Sequence, residues 1–300
     1  PRPARDMETA FWSRGERVTV SPDRPIVIIG ERINPTGRKK LSEALRALDM
    51  SYVVKEALDQ VQAGAHALDV NVGAEEVNYV AAMVAAVRAI SEATPAPLVF
   101  DTGFPDVLEA ALKAYQGKAL VNSINGEERS LSSFLPLAKE FGAAVIGLCM
   151  DDEGISNDPK KRLEIARKIV TRAEREGIPI EDVVIDPLTM AVGADAQAAR
   201  VTMETMALVR RDLGVNITGG ASNVSFGLPD RKVINQVYLA MLLAYGMNCP
   251  ITDPTRPEIR NTVLIADLLN GNDAYAANYL RAYREREAAA KAAQAAQAAG

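Results

Sequence analysis

Five strand-like runs of this 300-residue chain finish in a carboxylate or an amide, at Asn71, Asp101, Asn122, Asp186 and Asp253. A further short run, Val215 to Thr218, opens into GGASNVSFGLPD (219–230), a loop of glycines and small polar residues that carries Asn223. Glycine, serine and asparagine mark ordinary loops too, so this loop alone means little. Asp101, Asn122, Asp186 and Asn223 around one mouth mean more. An ionised carboxylate accepts two parallel hydrogen bonds from an amidine-like N–H pair, and an asparagine amide both donates and accepts. With no lysine beside them and no general-base histidine, such residues suit a neutral heterocycle rich in N–H donors. A pterin, with a 2-amino group next to a ring nitrogen, is that kind of ligand. Plainer readings stand beside it. Asp186-Pro187 and Asp253-Pro254 are also turn starters, Asn122 and Asn125 could serve loops, and such acids can hold a divalent cation.

The elements that must position these residues repeat. A strand at Ile26–Ile29, broken by Gly30, and a loop GERINPTG (30–37) lead to a helix over about Lys39–Val61. Strands follow at 67–72, 98–100, 119–121, 144–150, 183–185, 215–218 and 248–252, each succeeded by helical spacing. Asp158 before Pro159 predicts an N-cap for a helix running to Glu176. In 67–72, Asp69 and Asn71 share one face and Leu68 and Val70 the other. Eight strand-then-helix units in this length predict a (β/α)8 TIM barrel, whose active sites form at the C-terminal strand ends. The expected organisation is an irregular N-terminal arm (1–25) with Phe11 and Trp12 as anchors, a barrel (26–270) and a helical tail (271–300). Residues 288–299 hold nine alanines, two glutamines and one lysine, a helix former with no amphipathic face.

Composition narrows the function. The chain is 48% hydrophobic and 24% charged, enough for a large core, and its net charge of −5 argues against nonspecific nucleic-acid binding. Two cysteines a hundred residues apart, Cys149 and Cys249, read as buried thiols rather than a disulfide scaffold. A zinc site would need both to converge with His66, the one histidine, so no protein-bound metal is predicted. No run reaches the roughly 18 apolar residues of a membrane span and no signal-peptide core is evident, so a soluble, cytoplasmic protein is expected.

IIGERINPTG (28–37), ALDVNVG (67–73), VFDT (99–102), ALVNSING (119–126), AAVIGLCMDDEGI (143–155), GIPIEDVVIDPL (177–188) and ASNVSFGLPDRKVIN (221–235) occur in one order along the chain. Together they resemble the methyltetrahydrofolate:corrinoid methyltransferases, a family that includes the folate domain of cobalamin-dependent methionine synthase and is related to dihydropteroate synthase. The resemblance implies that Asp101, Asn122 and Asp186 hold the pterin and that Asn223 reaches N5, where the methyl group sits. Asp69 and Asn71 join the same polar cluster, and Glu31 and Asn34 shape the first loop, with Asn125 in support. Proline and threonine after Asn34 leave the details of that loop open. The implied substrates are tetrahydrofolate or 5-methyltetrahydrofolate and a corrinoid (cobalamin) carried by a separate protein docking over the mouth, with loops 150–158 and 219–230 as contact surfaces. A homodimer is expected by the same resemblance.

That chemistry suits the residues. Methyl on a tertiary amine leaves only if N5 is protonated or strongly hydrogen-bonded, after which a cobalt(I) corrinoid can attack in line; positioning does much of the work. Asn223 can accept from N5–H but cannot supply the proton. His66, ahead of the second strand, reads as structural. With no DxHxxG motif in these 300 residues, neither a corrinoid domain nor a homocysteine-binding zinc domain is expected in this chain. The rival readings are a dihydropteroate-synthase-like enzyme, for which the expected Ser-x-His is missing after Asp253, a noncatalytic folate-binding barrel, and a metal-dependent aldolase or lyase, which lacks a strand-end lysine. The GERINPTG loop and the N-terminal arm lean the direction toward tetrahydrofolate as acceptor, as in O-demethylation.

Overall fold

The computed structural model describes residues 7–299; residues 1–6 of the arm and Gly300 of the tail lie outside the described residues. Two short strands open the chain, β1 (Thr9–Trp12) and β2 (Arg17–Val20). Eight parallel strands then alternate with helices: β3 (Ile29–Ile33), α1 (Lys39–Arg46), α2 (Ser51–Gln62), β4 (Ala67–Val70), α3 (Tyr79–Ala93), β5 (Leu98–Asp101) and α4 (Pro105–Ala114). After them come β6 (Leu120–Asn125), α5 (Glu128–Glu140), β7 (Ala144–Leu148), α6 (Pro159–Glu176), β8 (Val183–Asp186) and α7 (Ala198–Asp212). The series ends with β9 (Thr218–Gly220), α8 (Arg231–Ala244), β10 (Cys249–Thr252), α9 (Pro257–Leu269) and α10 (Ala277–Ala299). The parallel strands run in the order β8-β7-β6-β5-β4-β3-β10-β9. The ring closes through a parallel bridge between Ile185 and Ile217, with Ile185 N–H donating to Asn216 O at 2.9 Å. This is a TIM barrel.

Alternation along each strand explains both the core and the mouth. Ala67, Val99, Leu120, Val184 and Ile29 point into the barrel, whereas Leu68, Phe100, Val121 and Ile185 pack outward against the helices. Two residues past each inward apolar side chain, the same face delivers Asp69, Asp101, Asn122, Asp186 and Glu31. The polar ring is therefore one pleat above an apolar layer.

The N-terminal segment is an antiparallel hairpin rather than the irregular arm that was expected, with Thr9 opposite Val20 and Trp12 opposite Arg17. It closes the bottom of the barrel. Phe11, Val18 and Val20 are buried among Ala67, Val99, Leu120 and Val184, and a fully buried phenylalanine contributes about 2–3 kcal/mol. Asn216, just before β9, donates to Met7 O, Thr9 Oγ1 and Val20 O, and Trp12 exchanges backbone hydrogen bonds with Lys118. Lys118 in turn meets Asp182 at 2.6 Å. These polar anchors come from the N-terminal ends of the strands, opposite the mouth.

Two local expectations shift for physical reasons. Gly30 lies inside β3 instead of ending it: a Cβ there would collide with Gln60 Oε1, which accepts from Arg32 N–H at 2.8 Å. The helix expected over 39–61 is two, broken where Leu48 takes a positive φ of 53° and Asp49 Oδ1 accepts from Ser51 N–H. Helix α6 has the predicted bounds, with Asp158 capping Lys160 N–H at 2.9 Å and Gly177 ending it at φ 84°. The alanine-rich segment is helical within α10.

Candidate active site

Four side chains on three neighbouring strand ends interlock at the mouth. Asn71, just past β4, donates from Nδ2 to Asp101 Oδ2 at 2.9 Å, and Asn122 on β6 donates to Asp69 Oδ1 at 3.0 Å. Asp69 is buried, and burial, with the nearby Asp101 charge adding to it, holds its carboxyl well above the ordinary range against the opposing Asn122 amide. Burial raises Asp101 too, opposed by the hydrogen bond from Asn71. Burial makes both carboxylates costly to hold as anions at the mouth, so a ligand that brings N–H donors to them is favoured.

Asp186 stands across the mouth on β8. Burial pushes it up to about 6, opposed by Leu188 N–H, which donates to Oδ1 at 2.7 Å, and by the Arg162 guanidinium. Gly219 on β9 passes so close that a Cβ there would lie 3.2 Å from Asp186 Oδ1 and 3.1 Å from Met247 Cε. A side chain at this position would press on that carboxylate and on Met247.

Asn223 sits in a short 3-10 turn, Ala221–Ser225, that follows β9. Its side chain is exposed and folds back over Gly220, and among the described residues no hydrogen bond engages its amide. Glu31 on β3 accepts from Ser222 Oγ at 2.9 Å. Burial is the main cause that pushes Glu31 up to about 7; Ser222, Arg231 and Arg32 oppose it and Asp253 reinforces it.

Asn34 and Asn125 are used differently. Asn34 Oδ1 accepts from Thr36 N–H at 3.1 Å and Asn125 Oδ1 from Glu127 N–H at 2.9 Å, so each amide oxygen turns its own loop. Asp253 likewise accepts from Thr255 N–H and pairs with Arg32 Nη1 at 3.0 Å. His66 Nδ1 accepts from Ile28 N–H at the bottom of the barrel, at 2.9 Å. Cys149 and Cys249 are buried free thiols, and burial raises both, Cys249 to about 12. Among the described residues no group of three or more His, Cys, Asp or Glu side chains could hold a metal ion.

Sequence reasoning missed Arg162. It is fully buried on α6, where Nη1 donates to Pro187 O at 2.6 Å and Leu188 O at 2.8 Å and Nε to Ser156 O, fixing the turn beneath Asp186. In KKRLEIARK it reads as part of a solvated basic face. Its spacing of four from Ala166, on the same buried stripe, was the available signal. Ser222 and Arg231 were also missed; Arg231 donates to Ser225 Oγ and Ser222 O, each at 3.0 Å, and lies over the Phe226 ring.

The family model for pterin-binding enzymes matches residues 30–253. This chain belongs to the pterin-binding enzyme family. Within it, the chain is 28% identical to a methylcorrinoid:tetrahydrofolate methyltransferase of Eubacterium limosum, over 87% of this chain and 97% of that protein. It is 30% identical to methionine synthase of Mycobacterium tuberculosis over 85% of its own length, which spans only 23% of that larger protein. Among solved structures it resembles dihydropteroate synthase of Xanthomonas albilineans, at a TM-score of 0.66 and 19% identity, covering 87% of this chain and 98% of that one. That likeness shows the shared barrel. The pterin-binding match ends at Asp253, so it takes in every strand-end residue of the mouth from Glu31 to Asn223.

Proposed function

We propose that this chain is a methyltransferase that moves a methyl group between N5 of tetrahydrofolate and the cobalt of a corrinoid carried by a separate protein. The observation that supports this reading most is the paired array, Asp69 with Asn122 and Asp101 with Asn71, facing one mouth with the unengaged Asn223 amide. Similarity to a methylcorrinoid:tetrahydrofolate methyltransferase over nearly its full length supports it as well. The setting we assign is cytoplasmic.

In this reading the pterin's amino and ring N–H groups displace the amide donors from Asp101 and Asp69 or join them, and Asp186 takes a further N–H. Burial makes each such charge-assisted bond worth more than it would be in water. Asn223 reads N5, accepting from N5–H when it is protonated and donating when it is not. Its freedom from other partners lets it turn as N5 changes state. The corrinoid supplies the cobalt that accepts or donates methyl; this chain orients N5 toward the opening and keeps the pterin plane fixed. Ile155 and Phe226 are exposed apolar side chains on the two loops at the mouth, suited to contact the corrinoid protein. The direction toward tetrahydrofolate draws no support from the N-terminal segment, which lies at the far end of the barrel.

We also assign a homodimer. Val233, Val237 and Met241 on α8 and Tyr245 at its C-cap recur every fourth residue and are 54%, 56%, 42% and 47% exposed, a continuous apolar stripe along one helix.

The test is methyl transfer followed by the cobalamin spectrum, with reduced cobalamin and 5-methyltetrahydrofolate, then with a corrinoid protein from the native cell. Wild type should form the methylated corrinoid. Asn223→Ala should slow transfer about 100-fold, the scale of losing one hydrogen bond made to the reacting group, while folate affinity stays within about threefold. Folate binding without transfer to either acceptor would make the chain a binding barrel instead.

A further inference from the structure

The mouth lacks an obvious proton source. Asp69, Asp101 and Asp186 already accept from Asn122, Asn71 and Leu188 N–H and face the ligand's own N–H groups, and an amide such as Asn223 carries no acidic proton. Glu31 differs. Its hydrogen-bond partner is the hydroxyl of Ser222, the residue before Asn223 in the same 3-10 turn. The cations around it are engaged elsewhere: Arg32 with Glu56 and Asp253, Arg231 with Ser225 and the Ser222 carbonyl. Glu31 and Ser222 also border a cavity of about 300 Å³ with Arg231, Asn235, Asp253 and Arg256, a path for exchange with solvent.

We infer that Glu31 is the proton carrier for pterin N5, acting through the Ser222 hydroxyl, an inference that rests on the methyltransferase reading. A serine hydroxyl can accept from one side and donate on the other, so it relays a proton without holding charge. Toward the corrinoid, the N5–CH3 bond breaks with its electron pair left on N5. A proton moves from the Glu31 carboxyl to Ser222 while the Ser222 proton moves to N5, and the cobalt(I) pair forms the new Co–C bond. Toward tetrahydrofolate the same atoms move in reverse and the Glu31 carboxylate collects the proton that N5–H releases. The groups facing Glu31 are Ser222, Asp253, Asp69, Arg231 and Arg32, with Lys232, Arg256 and Glu258 on the cavity wall. Burial outweighs the nearby cations and sets the carboxyl near 7, where it can give or take a proton at neutral pH. Glu31 is thus a positioning residue for the proton, one residue removed from the reacting nitrogen.

The experiment measures transfer rate against pH for wild type, Glu31→Gln and Ser222→Ala, each as the full chain, with free cob(I)alamin as acceptor and folate affinity determined in parallel. Glu31→Gln keeps the shape and an acceptor for Ser222 but holds no exchangeable acid. The expected result is a wild-type inflection at about pH 7 that disappears in Glu31→Gln, with the rate down at least about 10-fold and folate affinity within about threefold. Ser222→Ala should lower the rate similarly. A Glu31→Gln enzyme that keeps both the wild-type rate and the inflection overturns the proton role and leaves the methyltransferase reading standing. Wild type that moves no methyl to cobalamin or to a native corrinoid protein overturns both.

Discussion

Asn122 on β6 donates from Nδ2 to Asp69 Oδ1 on β4 at 3.0 Å, reaching across β5, which lies between them in the sheet. The bond ties strand ends that share no backbone pairing and presents an acid and an amide side by side to the mouth. Asn122→Ala should therefore weaken tetrahydrofolate binding by about 10- to 100-fold, the scale of one hydrogen bond involving a charged or buried partner. Titration calorimetry or ligand fluorescence measures it. Affinity unchanged by the substitution would place the pterin elsewhere.

Asp186 adds a pH dependence with a definite sign. Its carboxyl sits at about 6, so acidification through that value neutralises the acceptor that the pterin N–H needs. Folate affinity should fall as pH drops from about 7 to about 5, by up to about 10-fold per pH unit below the pKa. Asp186→Asn should bind more weakly at neutral pH and lose this limb. The comparison of two affinity-against-pH curves decides it, and parallel curves would remove Asp186 from the site.

The ligand-free protein should be most stable below neutrality. Asp186 and Glu31 have folded values raised to about 6 and about 7 from 3.8 and 4.5. The folded state thus binds protons that the unfolded state has released, and stability falls as pH rises through these windows. For Asp186 the loss is on the order of 1–3 kcal/mol. Glu56 works in the other direction: burial would raise it, but Arg32 and Arg38 hold it down to about 2, so its contribution is lost as pH falls below about 4.5. Melting temperature should peak at about pH 4 to about pH 4.5 and decline toward about pH 7, with a shallower decline in Asp186→Asn. A melting temperature that rises steadily from about pH 5 to about pH 8 contradicts the assignment.

Arg162→Met removes the donor that holds Pro187 O and Leu188 O. A fully buried guanidinium with two backbone carbonyls on one nitrogen should cost about 2–4 kcal/mol when lost, read as a lowered melting temperature. The same change withdraws a nearby positive charge and should move the Asp186-dependent limb of folate binding to higher pH. A variant of unchanged stability and pH profile would show that the turn holds itself.

The α8 stripe predicts a state of association. Wild type should sediment as a dimer, and Val237→Asp with Met241→Asp should yield monomers that still bind folate, since neither residue belongs to the mouth. Monomeric wild type at micromolar concentration would end the dimer assignment.

Much of the architecture could be read from the residues alone. Eight apolar runs, each followed by helical spacing, pointed to a barrel because parallel strands need helices over their outer face and eight such units at this spacing match a sheet that closes on itself. The polar ring was legible for the same local reason: in a strand, a residue two places beyond an inward valine or leucine points inward too. That set Asp69, Asp101, Asn122 and Asp186 at one mouth, and the N-cap at Asp158 was equally local. Only the tertiary structure decided the rest. The hairpin through Phe11 takes its meaning from a barrel bottom assembled by strands spread along the rest of the chain, from Ile29 to Cys249. Arg162 became a support for Asp186 because α6 packs beneath the turn after β8. Glu31 meets Ser222 across 191 positions of chain. Local pattern records which way a side chain faces; its partner, and the environment that moves its proton, exist only once the ring has closed.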